Sequence, residues 1–145
     1  MAKVFFILYL SLIFVDQYTK YLAIKTLKSN KSIDVLKWLQ FTVVRNYGAA
    51  YNLLSGKTKL IIRINLILLA CLGAYFIDIF NSSNHTILRI ALIFIISGGS
   101  SNLIDRIKDG YVRDFIYFKV KKSPVFNMAD FFVVIGSIMF IITSL

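Results

Sequence analysis

The sequence has no glutamate. Its seven acidic residues are all aspartates, against 17 lysines and arginines, and it carries one cysteine, one proline, one tryptophan and one histidine. Each scarcity removes a class of chemistry. A single cysteine, Cys71, allows no internal disulfide, so cysteine usage is silent about redox compartment. A single histidine, His85, leaves no HExxH motif and too few ligands for a zinc site. It also falls in a different loop from most polar residues, which removes a Ser–His nucleophile. No glycine-rich phosphate loop is present. Among common hydrolytic arrangements, paired carboxylates remain. The formal charge of +10 would suit a polyanion, yet the basic residues lie between apolar runs and form no separate basic domain. That placement fits attraction to anionic membrane lipids and implies no nucleic-acid partner.

What the chain does have is apolar length. Of its 145 residues 58% are hydrophobic, and the mean hydropathy is +0.74, the composition of an integral membrane protein. Its length suits a single domain over 1–145. Four stretches, at about 4–24, 60–80, 87–104 and 125–145, approach or exceed the roughly 17 residues a bilayer-crossing helix needs. The expected fold is an all-α membrane protein with four transmembrane helices. Lys3 before the first stretch resembles a signal peptide, but no small-x-small cleavage site follows, so the stretch reads as an uncleaved span. Leu68-Leu69-Ala70-Cys71 resembles a lipidation box; placed in mid-span, Cys71 reads instead as a buried helix cysteine. Pro124 stands where the fourth helix is expected to begin.

Four spans place the first and third loops on one side and both termini on the other. The first loop, about 25–59, is too long for a bare connection. Phe41-Thr42-Val43-Val44 predicts a strand within it, in a small β-containing region between helices 1 and 2. Trp38, Tyr47 and Tyr51 suit the membrane interface. The same side collects Asp16, Lys20, Asn46, Asn102, Asp105, Arg106, Asp114, Asn127 and Asp130, while Asp78 and His85 fall on the other.

Two aspartates stand out. Asp114 lies in VRDFI, and Asp130 ends FNMAD, after which no charge follows to Leu145. An acid where a helix enters apolar surroundings carries a solvation penalty. Singly, they read as a helix-end charge and an acid favoured by a helix N-terminus. Meeting at one membrane edge, they suggest carboxylates that share a proton. Asn127, one turn before Asp130, is spaced to hold its carboxylate. Asp16 and Lys20 share a helix face and read as a structural ion pair. SGGSSNLIDR joins small residues to an amide and two charges, which implies close helix packing and a held polar network around Asn102, Asp105 and Arg106. In NYGAAY, the small Gly48 and Ala49 beside Asn46 let another backbone approach, although an ordinary turn explains them equally well.

Taken together, DQYTK at 16–20, NYGAAY at 46–51, GGSSNLIDR at 98–106, VRDFI at 112–116 and FNMAD at 126–130 resemble the bacterial lipoprotein signal peptidases, or signal peptidase II family, in order and spacing over nearly the whole chain. The resemblance implies an aspartic endopeptidase of the bacterial cytoplasmic membrane. It would cut diacylglyceryl-modified prolipoproteins just before the lipidated cysteine, without metal or organic cofactor, and be inhibited by globomycin-type cyclic peptides. Asp114 and Asp130 match the family's catalytic dyad. Asp16, Lys20, Asn46, Gly48, Ala49, Asn102, Asp105, Arg106, Asn127 and Ala129 match its other motif positions. The chain departs from the family pattern at Ser101, Tyr51 and Arg113, which stand where glycine, phenylalanine and an apolar residue are usual. Arg113 reads either as a cation that lowers a neighbouring carboxylate's pKa or as a contact to lipid headgroups. The lysine-rich site loops would be cytoplasmic by the positive-inside rule; the family resemblance implies instead an outer-face site with both termini cytoplasmic, and it outweighs the charge statistic. The rival reading is a non-enzymatic membrane transport subunit using Asp16, Lys20 and Asp130 as an ion relay. It predicts acids spread through the spans, whereas here they gather at one surface.

Overall fold

The computed structural model describes residues 2–27, 32–49, 53–80, 85–121 and 123–144. Apolar runs without interior proline form α1 (Ala2–Leu27), α2 (Thr58–Phe80), α3 (Thr86–Asp109) and α4 (Met128–Ser144). By length and composition α1, α2 and α3 can cross a membrane, and α4 is a shorter apolar helix of 17 residues. Their outer faces carry large apolar side chains in the open, among them Phe6, Ile67, Ile77 and Ile142, with Ile77 72% exposed. A face of that kind is a liability in water and a fit for lipid tails.

Between the helices lies a four-stranded antiparallel sheet in the order β1-β2-β3-β4. The strands are β1 (Ile33–Leu36), β2 (Leu39–Asn46), β3 (Val112–Phe118) and β4 (Val125–Phe126). The expected strand at 41–44 lies inside β2. Placing the β region between helices 1 and 2 alone needs correction, because two of the four strands come from the third loop. Val112–Phe118 has alternate residues that suit a strand, but its pairing partner, β2, is about seventy residues away in sequence. The start of the fourth helix is corrected too. Val125 and Phe126 pair with Tyr117 and Ile116, so Pro124 introduces a strand and the helix opens at Met128.

Two cores hold these layers. Under the sheet, Ala23 and Leu27 of α1 pack on Phe115 and Ile116, flanked by Phe41, Phe118, Phe126 and Phe131. At the other end, Ile79, Leu88 and Leu92 pack with Phe76 and Phe140. The helix axes of α3 and α4 approach closely because glycine lines the seam. A Cβ on Gly98 would lie 2.4 Å from the Ala129 carbonyl oxygen, and one on Gly136 2.6 Å from that of Ala91. Gly110 then ends α3 in a left-handed conformation (φ 82°), its N–H donating to the Arg106 carbonyl, and turns the chain into β3. Cys71 lies on a helix as expected but is exposed, on the outer side of α2.

Candidate active site

Asn127 is the N-cap of α4. Its side-chain oxygen accepts from the Asp130 backbone N–H (3.0 Å), and its own backbone N–H donates to Asp130 Oδ2 (3.0 Å). This reciprocal cap satisfies two otherwise orphaned groups and fixes the Asp130 rotamer. The Asn127 side-chain Nδ2 meanwhile donates to Asp114 Oδ1 at 2.6 Å. One residue therefore holds both aspartates. Sequence spacing anticipates its hold on Asp130, but not its hold on Asp114, which depends on where β3 passes.

Each carboxylate has a second amide donor. Asn46, at the end of β2, donates from Nδ2 to Asp114 Oδ2 (2.9 Å), while its Oδ1 accepts the Gly48 N–H (3.0 Å). Asn102 on α3 donates from Nδ2 to Asp130 Oδ1 (2.9 Å). Asn102 Oδ1 accepts from Lys20 Nζ (2.9 Å) and Asn127 Nδ2 (3.1 Å). Lysine has donors only, so it forces the Asn102 oxygen toward α1 and the NH2 toward Asp130. Asp114 is 2% exposed. Burial above all, and then repulsion from Asp130, pushes its pKa up to about 7, against the pull of Asn46, Asn127 and Lys20.

Behind the amides lies a charged network with no exposed member on α1. Lys20 Nζ is 2.7 Å from Asp16 Oδ2 and 3.0 Å from Asp105 Oδ2, all three side chains fully buried. Asp16 also accepts from Ser101 Oγ (2.6 Å) and from the Ala129 backbone N–H (2.8 Å). The Asp16–Lys20 ion pair expected from spacing is thus present, and it also pins the first turn of α4. Asp105 and Arg106, adjacent in sequence, point to different partners. Asp105 meets Lys20 and Arg113, whereas Arg106 Nη2 donates to the Gly48 carbonyl (2.8 Å) and steadies the 46–49 turn. Arg113 reaches inward to Asp105 and Gln17, not outward toward lipid. Gln17 is a network residue that sequence patterning alone does not mark. It donates to Ser101 Oγ and Asp105 Oδ1, both at 2.9 Å, and the available signal was an amide inside an otherwise apolar run. Tyr51 lies outside the described residues.

The two aspartates open on a cleft of about 260 Å³. It is lined by the polar Asn46, Asn102, Arg106, Asp114 and Asp130 and by the apolar Ala49, Val112, Pro124, Val125, Phe126, Val133 and Val134. An apolar cleft with a few convergent polar groups is the usual form of a binding site.

The profile of the family described as "Signal peptidase (SPase) II" matches residues 8–145. The chain belongs to the signal peptidase II family. A lipoprotein signal peptidase of Clostridium tetani is 42% identical over 134 residues, covering 90% of this chain and 85% of that one. The lipoprotein signal peptidase of a Staphylococcus aureus strain is 36% identical over 133 residues, covering 90% and 80%. A solved bacterial membrane enzyme, determined by the in meso method at 1.9 Å resolution, superposes with a TM-score of 0.87 at 33% identity, over 99% of this chain and 93% of that one. As a signal peptidase II family member, the chain is a membrane peptidase built of several apolar helices and a small antiparallel sheet.

Proposed function

We propose that Asp114 and Asp130 are the catalytic dyad of an aspartic endopeptidase that removes the signal peptide from diacylglyceryl-modified prolipoproteins, cutting just before the lipidated cysteine. The observation that carries this reading is Asn127, which binds both carboxylates at the head of an apolar cleft. Two buried carboxylates in one site do not both ionise cheaply, so near neutral pH they share one proton. The ionised member takes a proton from water as that water attacks the scissile carbonyl carbon. The protonated member donates to the carbonyl oxygen, and the tetrahedral intermediate collapses as the amine leaves with a proton. The amides of Asn46, Asn102 and Asn127 hold the pair in place without supplying charge. Gly48 and Ala49, steadied by Arg106, form the turn against which an extended peptide would lie, and Val133 and Val134 give its apolar neighbours a wall. Globomycin-type cyclic peptides would occupy the same cleft.

In this reading all four helices cross the bacterial cytoplasmic membrane, the dyad lies near the outer face, and both termini are cytoplasmic. The test is cleavage of a lipidated prolipoprotein by the purified protein, wild type against Asp114→Asn and Asp130→Asn. Both variants are expected to lose at least a thousandfold in kcat. Turnover within tenfold of wild type in either variant would remove that residue from the dyad.

A further inference from the structure

Arg113 immediately precedes Asp114 on β3, and the strand directs the two side chains to opposite faces. Directly across the ladder stands Arg45, and two like charges so paired repel. The structure separates them: the Arg45 guanidinium lies over the Tyr111 ring at 5.2 Å, while Arg113 turns toward α3. There its backbone N–H and Nε donate to Asp105 Oδ2 at 3.2 and 3.3 Å. Its Nη2 joins Asp105 Oδ1 and also donates to Gln17 Oε1 at 2.8 Å. The guanidinium fork thus grips a fully buried carboxylate through both oxygens, a geometry lysine cannot reproduce.

We propose that Arg113 is a positioning residue for the dyad, bracing β3 against α3 and completing a charge-balanced set behind the two aspartates. This rests on the dyad reading given above. Asp105 lies one turn after Asn102 on α3, and Asn102 holds Asp130. Asp114 is therefore tied to Asp130 by two routes, one through Asn127 and one through Arg113, Asp105 and α3. A valine at 113 would keep the backbone bond to Asp105 and lose the rest of the second route.

The charged groups packed around the dyad are Asp16 and Lys20 on α1 and Asp105 and Arg106 on α3, while Arg113 reaches Asp105 from the other face of β3; α4 adds only Asp130 itself. Arg45 is engaged with Tyr111, Arg106 with the Gly48 carbonyl, and the partly exposed Asp109 lies 3.8 Å from Arg113 Nε. Within the buried network Asp16, Lys20, Asp105 and Arg113 cancel as two of each sign, and Arg106 adds a further positive charge that the neutral Gly48 carbonyl does not cancel. Without the guanidinium, two buried acids share Lys20, and the added negative field makes the dyad hold its proton to higher pH.

The test compares wild type, Arg113→Val, Arg113→Lys and Arg113→Val with Asp105→Asn on a diacylglyceryl-modified prolipoprotein from about pH 5 to 9, with thermal unfolding as the folding check. Arg113→Val is expected to lower plateau kcat about tenfold with KM within about twofold, and to move the alkaline limb of kcat/KM up by roughly half to one unit. Arg113→Lys should leave the limb in place and recover part of kcat. The double variant, which removes one charge of each sign, should return the limb to its wild-type position. If Arg113→Val does not fold, Arg113→Gln carries the same comparison. A limb that stays put in the uncharged variants, or moves as far in Arg113→Lys, overturns the inference, whatever happens to kcat. Failure of wild type to cleave, or retained turnover in Asp114→Asn, would instead overturn the dyad reading.

Discussion

Asp114 receives two amide hydrogen bonds and still holds its proton up to about pH 7, because burial and the neighbouring Asp130 outweigh those donors. The consequence for stability has a definite sign. The folded pKa lies above the ordinary 3.8, so between about pH 4 and 7 the folded state binds a proton that the unfolded state has released. The favourable contribution is complete below pH 4 and is lost as pH rises through 7. Asp114→Asn, neutral at every pH, should therefore unfold at a higher temperature than wild type at pH 8, with a smaller difference at pH 5. The difference is bounded by roughly 4 kcal/mol from three pKa units, less whatever is lost because an amide accepts through one atom only. Thermal unfolding in detergent micelles at the two pH values measures this, and a gain that does not change with pH would contradict it. The same titration predicts that wild-type kcat/KM declines on the alkaline side near pH 7, where the proposed dyad would lose its shared proton. Stability sacrificed at a site for the sake of its chemistry is a common bargain.

Among the elements, the seam between α3 and α4 sets the distance from Asn102 to Asp130. A Cβ at Gly98 would run into the Ala129 carbonyl, one residue before Asp130, and the Val133 side chain. A methyl there meets backbone, which cannot rotate aside, so Gly98→Ala should push α4 outward. The expected result is a loss of roughly 2 kcal/mol or more in stability and at least a tenfold loss in kcat. Gly73→Ala is the matched control, since a Cβ there has nothing within 4 Å; it should leave activity within twofold. Equal behaviour of the two variants in unfolding and turnover would dissociate the seam from the site. The sequence carries part of this design openly. SGGSS announces close packing, the four apolar runs announce the helices, and the spacing of Asn127 to Asp130 announces a capped helix start. Strand β3 is less legible in its place than in its kind, because its residues suit a strand but its partner, β2, lies about seventy positions away. The contacts of Ser101 with Asp16, and of Gln17 and Arg113 with Asp105, were equally hidden. Each joins segments more than eighty positions apart or depends on how such segments pack, and local periodicity carries no record of that.

For the whole molecule the open conflict is between charge and mechanism. Lys37, Lys57, Lys59, Lys108, Lys119 and Lys121 are exposed in or beside the segments that carry the site, where the positive-inside rule would assign the cytoplasm. A peptidase acting on exported precursors needs its dyad on the other face. The rule is a bias on insertion, strongest for short loops near span ends, and it does not act on net charge. The first loop is long and folds into a sheet with the third, so its lysines are presented on a folded surface, and in the proposed topology anionic headgroups can neutralise them on either side. The topology is tested with two reporters active only in the cytoplasm. One is fused after Leu145; the other is inserted after Gly56, an exposed turn residue with open space around it. Activity from the first and silence from the second is the expected result. The reverse pattern would put the dyad in the cytoplasm, and with it any claim that this chain cleaves precursors after export would fall.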